Sequence, residues 1–266
     1  MVTSDQQQAI LKRAFGYPYP LTHQSFIFHA GEQVTHRLID DPSAFPDVFG
    51  RTPVLAVGSN QSPEQLARKF PSADWGEIPT SRVHLQDFDT VYSAHVTGYG
   101  SIAATLHPAP GTRVSLYVNW LDQRQLLAMH ETELSNQNYT YAALENINLS
   151  FEAGPTLTTV NLYIGSRGAY APEGQAVPLA EVPAEGRAIG LAKSQAEILA
   201  HVHAKLAPEM ELDQFIFSSI EDTDKRRAYI DKLERTSHKF ESIQISKLDV
   251  PQLSMQTKSI RNLDLI

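Results

Sequence analysis

The chain has 266 residues, 42% of them apolar and 20% charged, which is ample for one large domain, or a domain with an appendage, around a buried core. A net charge of −8 with no basic stripe weighs against a nucleic-acid partner, and the absence of cysteine removes disulfides, thiolate nucleophiles and cysteine-type zinc sites. No apolar run reaches the roughly 18 residues a membrane span needs, and Met1–Gln8 has neither the basic nor the apolar part of a signal peptide, so a soluble cytoplasmic protein is expected.

Residues 4–14 predict a short helix capped by Ser4, with Ile10, Leu11 and Phe15 as its apolar stripe. Gly16-Tyr17-Pro18-Tyr19-Pro20 ends it, and an aromatic-proline stretch of this kind packs over a core edge. Ser25–His29 predicts a strand, and Asp40–Gly50 a loop.

Residues 54–70 are the stretch around which the rest is organised. Val54-Leu55-Ala56-Val57 predicts a short buried strand, and Gly58-Ser59-Asn60 a tight polar turn. Ser62 then caps a helix over 63–70, Pro63 opens it and Gln65 completes a capping box, with Leu66 and Phe70 on one face. A turn of this kind aims backbone N–H groups at whatever lies over it, a place for a carboxylate or phosphate. It lacks the glycine pattern of a dinucleotide site, the Gly-Lys of a phosphate loop and the spacing of a nucleophile elbow. A small-anion cradle and a plain structural corner both remain open.

The region 83–121 predicts several short strands separated by Gly and Pro turns, at 83–92, 102–106 and 113–121, with 89–96 either continuing the first or pairing with it and a break at His107-Pro108-Ala109-Pro110-Gly111. This order suggests a curled antiparallel sheet or small barrel. Asp122 caps a helix over 123–133 with Leu126 and Met129 inward. Strands follow at 138–144 and 156–164, then a long shaped loop over 165–190 with one turn of helix. Helices are expected from Ser194, along Ile198, Leu199, Val202 and Leu206, and over 222–235, with a weakly alternating tail at 245–266.

Val57-Gly58-Ser59-Asn60, the run Leu126-Leu127-Ala128-Met129-His130-Glu131-Thr132-Glu133 and Tyr139 after it resemble the γ-glutamylcyclotransferase-like family over about 53–165. Its members open with a strand ending in Tyr/Phe-Gly-Ser-Asn/Leu before a helix, then barrel strands, then Leu-x-x-Leu-Asp-x-x-Glu and a tyrosine. Two positions depart: Val57 stands for the aromatic residue and His130 for the Asp.

The resemblance implies an α+β fold, a small mixed or antiparallel β-barrel with flanking helices over 51–192, preceded by an N-terminal extension (1–50) and followed by a helical one (193–266). It implies an enzyme without metal or cofactor that closes 5-oxoproline from a small γ-glutamyl amine or amino acid, with a glutamate as general acid and base. Glu133 is preferred for that role because 126, 129 and 133 share one helix face; a register one residue later selects Glu131. The turn Val57, Gly58, Ser59, Asn60 and Gln61 would bind substrate, with Tyr139 or Tyr141 donating a hydrogen bond. On the residues alone, a glutamate near a helix end is a solvated charge and the tyrosines are strand packing. Ser59 has no His or Asp at a recognisable position to make it a nucleophile; Arg167 or Arg187 could reach a substrate carboxylate, with pairing at the surface the preferred expectation. The rival expectation is a non-catalytic binding or interaction module on the same fold.

Overall fold

The computed structural model of the chain describes residues 4–135 and 137–250. The predicted tail beyond 250 lies outside these. Helix α1 (Ser4–Phe15) ends as the glycine and prolines require, and the arm that follows buries Tyr17 and Tyr19. Strand β1 (Phe26–His29) pairs antiparallel with β2 (His36–Leu38) and with the start of β4 (Glu77–Val96). Strand β3 (Thr52–Ala56) runs antiparallel to β5 (Ile102–Leu121) and parallel to β8 (Thr159–Gly165), which pairs with β6 (Tyr139–Glu145).

The short strands expected over 83–121 are two strands of 20 residues each, β4, in which 89–96 continues 83–92, and β5, paired from Thr80↔Asn119 to Val96↔Ile102. The Gly-Pro stretch does not end β5. It is taken up by an irregularity where the register shifts between Gln86 and Phe88. Asp87 and Gly111 both adopt positive φ there, and the Gly111 amide donates to Asp87 Oδ1 at 2.8 Å. Pro108 and Pro110 sit beside this break, where a missing ladder donor costs little.

The predicted barrel does not close. The sheet is an open path from β11 (Ser237–His238) through β9 (Ala169–Tyr170), β4, β5, β3, β8 and β6 to β12 (Ile245–Lys247), with β7 (Leu149–Phe151) on β4 and β10 (Ala184–Glu185) on β5. It is mostly antiparallel. Helices cover two separate apolar clusters, so the sheet buries both faces without closing on itself. Helix α2 (Pro63–Lys69) and helix α3 (Gln123–Leu134) supply Leu66 and Met129 to one, with Phe26, Phe28 and Tyr117. The other takes Leu85, Tyr92 and Leu116 from the sheet, Ile198 and Val202 from α4 (Gln195–Leu206), Phe215 and Ile216 from α5 (Leu212–Glu221), and Tyr229 and Leu233 from α6 (Thr223–Glu234). Helix α5 carries no sequence signal at its start: Glu211 precedes it without a side-chain cap. Among the described residues no helix is long and apolar enough to cross a membrane.

The segment 165–190 holds no helical turn; it carries β9 and β10 instead. Arg187 does not pair at the surface as expected. It donates to Asp89 at 2.7 and 3.1 Å and to the Val182 carbonyl at 3.0 Å, and Asp89 is fully buried. This pair fastens the long loop to β4. Arg187→Met should cost about 3 kcal/mol of unfolding free energy, because the buried carboxylate is left without its cation. Chemical denaturation measures it, and a change within a few tenths of a kcal/mol (the effect of an ordinary surface substitution) would contradict that role.

His95 on β4 is buried with no partner on Nδ1, and burial, followed by Arg167 and Arg226, pushes its imidazole down to about 3 from 6.5. Between those two values the unfolded chain holds a proton that the folded chain does not. Stability is therefore full above about pH 6.5 and falls as the pH drops, with a slope of roughly 1.4 kcal/mol per pH unit from this group. Denaturation midpoints from pH 7 to 5 should show the decline, and His95→Phe should flatten it. Parallel profiles for both proteins would overturn the assignment.

Candidate functional site

Strand β3 ends at Ala56, and the chain turns through a single 3₁₀ turn, Ser59–Gln61, before α2 begins. Ser62 caps α2 by accepting the Glu64 amide at 3.2 Å; the capping box expected with Gln65 is not formed. The turn is pinned from three sides. Gln61 Nε2 donates to the Val57 carbonyl at 2.8 Å, Asn119 Nδ2 of β5 donates to the Asn60 carbonyl at 3.0 Å, and Ser62 Oγ donates to the Pro20 carbonyl at 2.8 Å. Among the described residues, no acceptor takes the amides of Gly58, Ser59 and Asn60. The buried Asn60 Oδ1 and Gln61 Oε1 have no donor either. Orphan buried polar groups are uncommon in folded proteins, and here several share one corner.

Helix α3 brings Glu133 to the same corner. Its start is fixed by a capping box between Asp122 and Gln125, and its inner face carries Met129 and Glu133. Asn60 Nδ2 donates to Glu133 Oε1 at 2.9 Å. Lys69, in the last turn of α2, ion-pairs with the same oxygen and donates to Thr132 Oγ1 at 2.9 Å. The Lys69 and Glu133 side chains are only 8% and 14% exposed. Charges so far out of water are retained only with close partners, so α2, the turn and α3 are held as one unit.

Tyrosines roof the corner. The Tyr17 hydroxyl accepts the Ala104 amide at 2.8 Å, and the Tyr139 hydroxyl donates to the Ala104 carbonyl at 3.3 Å. Burial holds the phenols of Tyr17, Tyr99 and Tyr139 well above their ordinary range; Glu133 adds to the rise in each, and Ser59 works against it at Tyr99. They are neutral hydrogen-bonding groups at any working pH.

Of the residues expected from sequence, Gly58, Ser59, Asn60, Glu133 and Tyr139 come together here. Val57 is buried just behind the turn, and Gln61 is buried within it. Glu131 points the other way and is exposed. Tyr141 bonds Asn161 Nδ2 at 2.8 Å and stands edge-on to His130, whose Nδ1 meets the Tyr163 hydroxyl at 2.7 Å; that cluster is buried packing. Sequence reasoning missed Lys69 and Tyr17. Nothing in the α2 sequence separates Lys69 from a solvated charge, but the Tyr-Pro-Tyr-Pro arm did point to a covering segment.

A cavity of about 730 Å³ opens beside the corner, between α1, the arm and the sheet. It shares Tyr17 with the corner but is not lined by Asn60 or Glu133. Among the described residues, no three His, Asp or Glu side chains gather as a metal site.

No family model matches the chain, and no curated protein sequence does. Among solved structures it is similar to a γ-glutamyl cyclotransferase at 22% identity and a TM-score of 0.34, over 43% of this chain and 66% of that one. It is similar to an uncharacterized protein from Homo sapiens at 20% identity and a TM-score of 0.36, over 44% and 68%. The chain thus spans about two thirds of the length of the structures it resembles. At these scores neither likeness bears on the chemistry.

Gly58 is required by the roof. A Cβ there would stand 2.2 Å from the Tyr17 hydroxyl oxygen. Gly58→Ala should cost about 2 kcal/mol, as overpacking does. In Gly58→Ala/Tyr17→Phe the two costs should sum to less than their separate values, because the clashing atom is gone. Additive losses in denaturation would show that the close approach is not what demands glycine.

Proposed function

We propose that this chain is a γ-glutamylcyclotransferase-like enzyme, releasing 5-oxoproline from a small γ-glutamyl amine or amino acid. The observation that carries the reading is the meeting of Asn60 and Glu133 at 2.9 Å beside three amides without acceptors. A γ-glutamyl group carries the matching chemistry. Its α-carboxylate suits the free amides, and its α-ammonium suits the Glu133 carboxylate and the orphan oxygens of Asn60 and Gln61.

In the proposed reaction Glu133 takes a proton from the α-ammonium. The freed amine nitrogen attacks the γ-carbonyl carbon, closing the ring C–N bond and leaving an oxyanion for a turn N–H group that the α-carboxylate does not occupy. The original amide C–N bond then breaks as Glu133 returns its proton to the departing amine, and the ring nitrogen's second proton passes through Glu133 to the released amine, which leaves as an ammonium. The substrate brings its own nucleophile, so holding it folded supplies much of the rate. Lys69 and Asn60 both bond Oε1 of Glu133, which reserves the second oxygen for the proton. Tyr139, which donates to the Ala104 carbonyl in the free protein, turns its hydroxyl to the ligand; Tyr141 and Glu131 take no part.

A non-catalytic binding module is the second reading, and one observation favours it. Glu133 is already neutralised by Lys69 under a closed roof, as in a structural ion pair. Incubation with a panel of γ-glutamyl amines and amino acids separates the two. The enzyme reading expects 5-oxoproline, a loss of at least about 100-fold in Glu133→Gln, and near-normal rates in Glu131→Gln. If no compound yields 5-oxoproline, or if Glu133→Gln is as active as the parent, the enzyme reading fails.

A further inference from the structure

The cavity of about 730 Å³ is a second place where the chain's chemistry is concentrated, and its volume falls within the range of small-ligand sites. Four fixed cations line it, Lys12, Arg13, Arg68 and Arg82, against two carboxylates, Glu64 and Glu181. That balance runs against the chain as a whole, whose net charge is −8.

Both carboxylates are taken up by other groups. Arg68 pairs with Glu64 one helical turn away. Glu181 accepts the Gln195 amide at 2.8 Å. Two of the cations are less fully engaged. Arg82 reaches Glu152 only at 3.7 Å, and the exposed Lys12 makes no ion pair with a carboxylate among the described residues. Aromatic rings form part of the wall: Phe15 from α1, Tyr19 from the arm and Tyr117 from β5. The Arg68 guanidinium lies 4.2 Å above the Tyr19 ring, a stack to which a further flat group can be added.

We propose that this cavity binds a small organic anion with a flat, aromatic body, its acidic group met by Lys12, Arg68 and Arg82 and its ring held among Phe15, Tyr19 and Tyr117. The site is distinct from the corner at Gly58, since neither Asn60 nor Glu133 lines it. It stands whether or not the chain makes 5-oxoproline. Tyr17 links the two, with its ring in the cavity wall and its hydroxyl against Gly58.

The test is a fluorescence titration of the whole protein with 8-anilinonaphthalene-1-sulfonate, an aromatic anion of suitable size, beside the uncharged N-phenyl-1-naphthylamine. Near-UV circular dichroism before each titration establishes that the protein is folded. The expected result is one saturable site for the anion, weakened by roughly tenfold or more in Lys12→Gln/Arg68→Gln, with the neutral compound indifferent to the substitutions. Lys12→Gln alone, at an exposed residue, should weaken the anion by a smaller factor and keeps the test decisive if the double variant unfolds. The proposal is overturned if the anion shows no saturable binding, if the neutral compound binds equally well, or if Lys12→Gln and the double variant leave the anion's affinity unchanged.

Discussion

Everything about the corner depends on one carboxylate oxygen, Glu133 Oε1, which receives both Asn60 and Lys69. The three residues come from three pieces of structure: the turn, the end of α2 and, beyond β4 and β5, the end of α3. A charge pair this far out of water is stable only when its partners are close and fixed, so the contact dictates where both helices sit on the sheet. The same contact gathers a carboxylate and unsatisfied amides around a volume of a few ångströms. Fold and candidate chemistry therefore rest on the same atoms.

The setting of that contact comes from the two long strands. By pairing over most of their length, with register shifts at Gln86/Phe88 and Tyr92/Val96, β4 and β5 give a sheet with two buried faces. One face receives α2 and α3 with the corner; the other receives the C-terminal helices. The N-terminal arm then crosses from α1 to β1 and lays Tyr17 on Gly58, so residues far ahead of the strand-turn-helix unit complete its roof.

Much of this was legible in the sequence because it is written in local terms. The buried strand before Gly58, the Ser62-Pro63 start of α2 and the Asp122 start of α3 are short-range signals, and all three mark real boundaries. The spacing of 126, 129 and 133 put Glu133 on the inner face for the same reason. What was not legible is decided over distance. The Pro-Gly run at 107–111 reads as a strand break, and only its pairing with β4 keeps β5 continuous. Barrel closure depends on what covers the sheet, which no local pattern records. Lys69 and Arg187 look like ordinary surface cations until the fold brings a buried carboxylate to each.

Tyr17 seated on Gly58 and Asn60 bonded to Glu133 make a closed corner, and a ligand there has to part them. The most direct measurement is a crystal structure of the protein soaked with 5-oxoproline. The account predicts the ligand's carboxylate on the amides of Gly58–Asn60, its ring beside Glu133, and the Tyr17 hydroxyl moved away from Gly58. At saturating ligand, an intact Asn60–Glu133 bond with Tyr17 still seated on Gly58 would contradict it.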